Sequence, residues 1–97
     1  MFQILLTDQA QRHWCELRED AGRQKRYRAV AKALRLLATD PRHPSLQTHE
    51  FTSLRGPAGQ KVFEAYAEQA TPAAYRIFWC YGPGPQQITV LAITPHP

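Results

Sequence analysis

Alternating apolar and polar positions mark the stretch from Lys61 to Trp79. Its first half alternates with a period of two residues, which is typical of a β-strand whose two faces meet different surroundings. A break at Thr71-Pro72 separates this half from Tyr75–Trp79, which is rich in the aromatic and β-branched residues that strands favour. The pattern therefore predicts two strands joined by a turn, with the rest of the chain packed around them.

The beginning of the chain has a strand pattern followed by a helix pattern. The apolar run Phe2–Thr7 predicts a buried first strand, after which Thr7 or Asp8 can cap a helix. Apolar residues recur every three or four positions over Gln9–Ala21, as they do on one face of a helix. Gly22 is expected to end this helix, because a left-handed residue is least costly at glycine.

A second helix is predicted over Gln24–Thr39. Asp40-Pro41 should stop it, since proline disfavours helical geometry in the residue before it. The apolar residues of this helix also recur at helical spacing and should face the core. They are Tyr27, Val30, Leu34 and Leu37.

Two further strands complete the predicted elements. Glu50–Leu54 is a short candidate strand ended by the turn signal Gly56-Pro57, and Gln87–Thr94 is a near-continuous β-branched run. The predicted fold class is α+β: an N-terminal strand, two helices, and a mainly antiparallel sheet of three to four strands. Helices on one face of this sheet would leave the other face partly open.

Composition limits the class of protein. The chain has 97 residues and 43% hydrophobic residues, with no repeat or linker, so a single domain over residues 1–97 is predicted. Its N-terminal apolar run is too short for a secretion signal or a membrane span, which predicts a cytoplasmic protein without a membrane partner. Cys15 and Cys80 lack metal-site spacing and are expected to be reduced, structural thiols.

Charge is concentrated on the second predicted helix. The net charge is +4, and six of the twelve Lys and Arg residues lie within positions 23–35, where no acidic residue occurs. One alternative is a solvated helix face that happens to be basic. The other is an electrostatic surface for phosphates or for an acidic protein segment. The residues that form one face are Lys25, Arg28, Lys32 and Arg35.

Several classes of chemistry lack their motifs. The four histidines are far apart and have no cysteine partner at metal-ligand spacing, so no metal site is predicted. No phosphate-binding glycine loop and no nucleophile motif for acyl transfer occurs. We therefore predict neither a cofactor nor an oxidoreductase activity.

The two central strands carry the polar residues Glu64, Tyr66 and Arg76, and antiparallel pairing would place these three on one face. RNA cleavage needs a base, an acid and a cation for the charge that develops on phosphate. Arg76 can clamp phosphate, or it can simply pair with Glu64. Glu64 can act as a base or only orient Arg76, and Tyr66 can contact RNA or be an ordinary strand tyrosine.

His96 follows the strongest predicted strand and stands between two prolines, which restricts its backbone. Histidine titrates near neutral pH and therefore suits proton transfer. The alternative is a terminal histidine without a role. His49, in the loop before a candidate strand, is a weaker candidate.

Three short motifs occur in the order typical of one family. They are Leu54-Arg55-Gly56 before the central strand, Tyr75–Trp79 (YRIFW) as the next strand, and the last strand Ile88–Ile93. With the predicted order of elements, the chain resembles the RelE/ParE superfamily of small bacterial type II toxins over nearly its full length.

The resemblance implies an endoribonuclease that cleaves mRNA on the ribosome and thereby inhibits translation. Arg76 matches the arginine that RelE-like enzymes use on the scissile phosphate, and the ending Pro95-His96-Pro97 resembles the YoeB branch, where a penultimate histidine acts in cleavage. The implied catalytic residues are Arg76, His96, Glu64 and Tyr66, and the implied RNA-binding residues are Lys25, Arg28, Lys32, Arg35 and Lys61.

The implied partners are a cognate antitoxin protein, the ribosome and mRNA. The same scaffold also serves gyrase-targeting ParE-like toxins and relatives that only bind a protein or RNA, so these stay as alternatives. A basic RNA-binding domain without toxicity is a further one.

Overall fold

The computed structural model describes residues 1–69 and 71–95. Its first elements are strand β1 (Gln3–Leu6), helix α1 (Asp8–Glu19) and helix α2 (Gln24–Thr39). Four strands follow, namely β2 (His49–Arg55), β3 (Lys61–Tyr66), β4 (Tyr75–Tyr81) and β5 (Gln87–Pro95). The predicted α+β class and the predicted order of elements are both confirmed. None of the described helices is long and apolar enough to cross a membrane.

The described strands form one five-stranded sheet in the order β1-β5-β4-β3-β2. Neighbours from β2 to β5 pair antiparallel, whereas β1 pairs parallel with β5. The mainly antiparallel sheet predicted from the sequence is therefore correct. Short turns link the late strands as antiparallel neighbours, while the parallel pair is connected through both helices and the three intervening strands.

Both helices cover the same face of the sheet. Each contributes fully buried apolar residues at helical spacing, such as Leu17 from α1 and Leu37 from α2. They pack against sheet residues that include Ile77 and Trp79, both completely buried. Burying a side chain of this size contributes about 1.5–3 kcal/mol, so these contacts fix the helices on the sheet.

Helix α1 begins where the sequence predicts and ends earlier than predicted. Its last residue is Glu19, because the Asp20 carboxylate accepts a hydrogen bond from the Gly22 N–H at 2.9 Å and turns the chain into a 3-10 turn at Ala21–Arg23. Arg23 also donates to Asp20 at 2.8 Å, and this hydrogen bond lowers the pKa of the Asp20 carboxyl. The prediction that Gly22 ends α1 is wrong.

Thr7 holds the start of α1 and also ties it to the sheet. Its Oγ1 accepts a hydrogen bond from the Ala10 N–H at 3.1 Å, and its hydroxyl donates to the Leu91 carbonyl of β5 at 3.1 Å. We expect Thr7→Ala to lower the free energy of unfolding by about 1 kcal/mol or more, because both contacts are lost. Urea denaturation measures the change.

The matched control is Thr52→Ala, since Thr52 is an exposed threonine of β2. This substitution should change the free energy of unfolding by less than about 0.5 kcal/mol. Equal effects of the two substitutions would contradict the role assigned to Thr7.

The other face of the sheet carries polar as well as aromatic residues. Because side chains alternate along a strand, Arg76 and Phe78 of β4 point away from the face that holds Ile77 and Trp79. Phe51 of β2 lies on this second face too, with its ring 4.9 Å from that of Phe78. We call this second face the open face, because the helices pack on the opposite one.

Candidate functional site

Four polar residues meet on the open face, from three neighbouring strands. The pairing places Tyr66 of β3 opposite Arg76 of β4, and His49 of β2 opposite Glu64 of β3. Residues opposite each other on paired strands share a face and lie within side-chain contact. We call His49, Glu64, Tyr66 and Arg76 the polar cluster.

Glu64 is the centre of the polar cluster. It is 6% exposed, and its two carboxylate oxygens face different partners. Oε1 lies 2.9 Å from Nε2 of His49, and Oε2 lies 3.5 Å from Nε of Arg76. A buried carboxylate is costly unless opposite charges and hydrogen bonds compensate it, and His49 and Arg76 are the neighbours that contact these oxygens.

Arg76 is nearly as buried as Glu64, with a side chain 10% exposed. Its Nη1 donates to the Glu68 carbonyl at 3.1 Å and the Ala74 carbonyl at 3.2 Å, with a longer contact to the Tyr75 carbonyl. Its Nε has no hydrogen-bond partner among the described residues. Arg76 therefore braces the connection between β3 and β4 besides pairing with Glu64.

Tyr66 lies directly beneath the arginine. The guanidinium carbon of Arg76 is 3.7 Å from the centre of the Tyr66 ring, which is a close cation–π contact. The His49 ring approaches Tyr66 edge-on, with ring centres 5.8 Å apart. The predicted trio of Glu64, Tyr66 and Arg76 is thus brought together, although their catalytic roles stay predictions.

His49 is a weak candidate from the sequence, yet in the structure it belongs to the polar cluster. It is the first residue of β2, and its side chain is 48% exposed. Nδ1 lies 3.0 Å from the Gln47 carbonyl, while Nε2 faces Glu64. Both neighbours accept hydrogen bonds, so a ring that carries both protons satisfies the two together. His49 places an exposed proton carrier beside a buried carboxylate.

The arginines and lysines at positions 23–35, in α2 and the turn before it, fall into two groups. Arg23 and Arg26 are engaged: Arg23 donates to the Tyr75 hydroxyl at 2.7 Å, and Arg26 lies over the Tyr75 ring and 3.6 Å from Glu68. The other group is exposed and forms no ion pair with the described residues. We call it the basic face, and it consists of Lys25, Arg28, Lys32 and Arg35.

Of the remaining predicted residues, one lies apart from the polar cluster and one lies outside the described residues. Lys61 is exposed at the start of β3, whereas His96 lies outside the described residues. Cys15 and Cys80 are free thiols, and burial raises the pKa of the Cys80 thiol, which keeps it in its less reactive form. No three metal-ligating side chains come together in residues 1–69 and 71–95.

Comparisons with known proteins identify the fold. No protein-family model matches the chain, and no curated protein sequence matches it. Solved structures do match: a YoeB/ParE toxin from Agrobacterium tumefaciens has a TM-score of 0.71 at 9% identity, covering 99% of this chain and 100% of that one. The archaeal RelE–RelB complex from Pyrococcus horikoshii OT3 has a TM-score of 0.65 at 15% identity, covering 97% and 93%.

A third match is a copper-bound mutant toxin from Helicobacter pylori, with a TM-score of 0.61 at 15% identity and coverage of 99% and 96%. The likeness in each case extends over almost the whole of both chains. The chain therefore has the fold of the RelE and YoeB/ParE toxins, and the superfamily resemblance of its sequence is confirmed at the level of the fold.

Proposed function

We propose that this protein is the toxin of a type II toxin–antitoxin pair and that it cleaves mRNA on the ribosome without a metal ion. The observation that carries the proposal is the Glu64 carboxylate, buried between His49 and Arg76 beside the open face. The toxin fold supports the first half of the proposal, namely that the protein is a toxin. It does not support the second half, because proteins that share a fold can differ in activity. The chemistry of the polar cluster supports the second half.

The proposed reaction is an internal transesterification of RNA. The 2′-oxygen bonds to the neighbouring phosphorus while the bond from phosphorus to the 5′-oxygen breaks, leaving a 2′,3′-cyclic phosphate and a 5′-hydroxyl. A base takes the 2′-hydroxyl proton, and an acid gives a proton to the leaving oxygen. Glu64 serves as the base, and His96 as the acid. Arg76 and Tyr66 stabilise the charge that develops on phosphate.

The basic face supports RNA as the target. Four exposed cations on one helix attract the phosphates of ribosomal RNA and mRNA, and they do so without any base-specific contact. A small set of catalytic groups gains most when another body aligns the substrate, because positioning alone lowers a barrier substantially. In this proposal the ribosome supplies that alignment.

A protein partner is part of the proposal. One of the similar structures is a RelE–RelB complex, and an acidic antitoxin segment that folds on binding would complement the basic face. Such a partner would neutralise the toxin by covering the cations that otherwise contact RNA.

A second function, binding without cleavage, is favoured by the burial of Arg76. Its Nη1 already donates to the carbonyls of Glu68 and Ala74, as expected of a structural brace. A gyrase-targeting toxin or a non-catalytic relative would keep this brace and lack cleavage.

The test is induced expression in bacteria, with mapping of new mRNA 5′ ends. We expect growth arrest with cuts at positions set by the reading frame, and loss of both in His96→Ala. The matched control is His43→Ala, since the His43 side chain bonds to Ser45 in its own turn, away from the polar cluster. Arrest without cuts would instead support the second function, and full activity of His96→Ala would remove that residue from the mechanism.

A further inference from the structure

A groove of about 350 Å³ lies between α2, the turn Pro44–Leu46 and the end of β3. We call it the α2 groove. A pocket of this volume accommodates a flat ring system. The residues that line it are Ala29, Lys32, Ala33, Leu36, Ser45, Leu46, Tyr66, Ala67 and Gln69.

The walls of the α2 groove are mostly apolar, and three of the lining residues are alanines. Ala33 and Leu46 are almost fully buried and form part of the core, so this part of the wall is rigid. Alanine leaves more free space beside a helix than larger residues do. The interior therefore suits an apolar, planar group.

The rim of the α2 groove carries fixed amide groups. The Gln69 side chain donates to the Ser45 carbonyl at 2.8 Å and accepts from Nε2 of Gln47 at 2.9 Å. These two bonds hold the Gln69 amide in one orientation, with one N–H and one lone pair left over. A ligand whose edge carries both donors and acceptors could pair with such a group.

The α2 groove adjoins both the polar cluster and the basic face. Tyr66 belongs to the polar cluster and also lines the groove, at the end of β3. Lys32 belongs to the basic face and lies at the groove. An RNA strand whose phosphates contact Lys32 therefore lies beside the groove.

We propose that the α2 groove holds one unpaired nucleobase of the RNA, beside the bond that is cleaved. This inference rests on the proposed function and adds a base-binding site to it. A nucleobase has apolar faces for the alanine and leucine walls, a polar edge for the Gln69 amide, and an attached phosphate for Lys32. An apolar side chain of a protein partner would use the walls but neither the amide nor the cation.

The test fills the groove and measures RNA binding. Ala29→Leu adds three carbons at the groove, whereas Ala31→Leu adds them elsewhere on α2 at a half-buried position. Both are made in a Glu64→Gln background, so that the RNA stays intact. The ligand is a six-nucleotide RNA with 2-aminopurine at one position, whose fluorescence is quenched when the base stacks.

We expect Ala29→Leu to weaken binding by about tenfold and to remove the quenching at one position, with Ala31→Leu unchanged. The slope of log Kd against log salt should stay the same in Ala29→Leu, because no phosphate contact is lost. In Arg35→Ala, which removes a cation away from the groove, the slope should fall by about 0.7 and the quenching should remain.

A second variant removes the amide and leaves the apolar walls of the groove unfilled. Gln69→Ala removes the amide from an exposed position, and Gln86→Ala is its exposed control. Only the first should weaken binding and reduce the quenching. Thermal melting confirms that each variant is folded.

The outcomes separate this inference from the proposed function. If RNA binds the Glu64→Gln protein and both groove variants equally well, the groove holds no base, and a protein partner becomes its better occupant. If the six-nucleotide RNA does not bind the protein at all, the inference fails, whereas the proposed ribonuclease function is decided separately by cleavage of mRNA on the ribosome.

Discussion

Replacing Glu64 with glutamine is expected to slow mRNA cleavage by about a hundred- to ten-thousandfold, because an amide cannot accept the 2′-hydroxyl proton. Glutamine has nearly the shape of glutamate, so one side-chain oxygen can still accept from His49 where Oε1 does now. The cleavage rate is measured in a reconstituted translation system, with and without ribosomes. Cleavage should need the ribosome in the unaltered protein.

The matched control is Glu50→Gln, which makes the same chemical change at an exposed position of β2. It should leave the cleavage rate within about twofold, since general acid–base catalysis depends on a positioned group. A Glu64→Gln protein that cleaves as fast as the unaltered protein would show that this carboxylate only holds Arg76 in place. The site of proton transfer would then have to lie elsewhere.

Replacing Arg76 with alanine is expected to lower the free energy of unfolding by about 3–5 kcal/mol. The substitution leaves the buried Glu64 carboxylate without its cation and removes the donor that now bonds the carbonyls of Glu68 and Ala74. Small proteins are stable by only about 5–15 kcal/mol, so the effect is large. Urea denaturation followed by circular dichroism measures it.

Two variants make the Arg76 experiment decisive. Arg28→Ala removes an exposed arginine of the basic face and should change the free energy of unfolding by less than about 0.5 kcal/mol. In a Glu64→Gln background Arg76→Ala should cost less, because no unpaired charge remains, and the difference measures the coupling between the two residues. A fully stable Arg76→Ala protein that cannot cleave would instead favour the phosphate clamp over the brace.

Local sequence signals were sufficient for much of the fold. The bounds of α2 match the prediction, because a regular apolar stripe meets a proline stop at Asp40-Pro41. Glu64, Tyr66 and Arg76 share a face as expected. Side chains alternate between the two faces along each strand, and the turn sets which residues of β3 and β4 lie opposite each other. The end of α1 was predicted wrongly, because the Asp20 carboxylate accepts a hydrogen bond from the Gly22 N–H and ends the helix before Gly22.

His49 could not have been placed from its sequence context. The hairpin begins with Arg55 opposite Lys61, and an unbroken ladder from that pair would put Ala67 opposite His49. An irregularity between Glu50 and Arg55 shifts the pairing so that His49 lies opposite Glu64 instead. The shift is an odd number of residues and therefore moves His49 to the open face. Such irregularities depend on contacts distant in sequence.

The α2 groove could not be predicted from the sequence for a similar reason. Residues 42–49 have the polar composition of a loop, yet Leu46 is 1% exposed and forms part of the groove wall. A single apolar residue in a polar stretch carries no periodic signal. Only packing against α2 and β3 reveals that this turn is anchored.

The position of β5 between β1 and β4 affects how the protein folds during its own synthesis. β5 emerges from the ribosome after every other described strand, yet it alone joins β1 to the rest of the sheet. The pairing of Gln3 with Gln87 closes a loop that spans most of the chain, and contacts this distant in sequence form late and slowly. A nascent chain that lacks β5 therefore has an unpaired edge on β4 and a β1 without a partner. The complete sheet can therefore form only after β5 has left the ribosome.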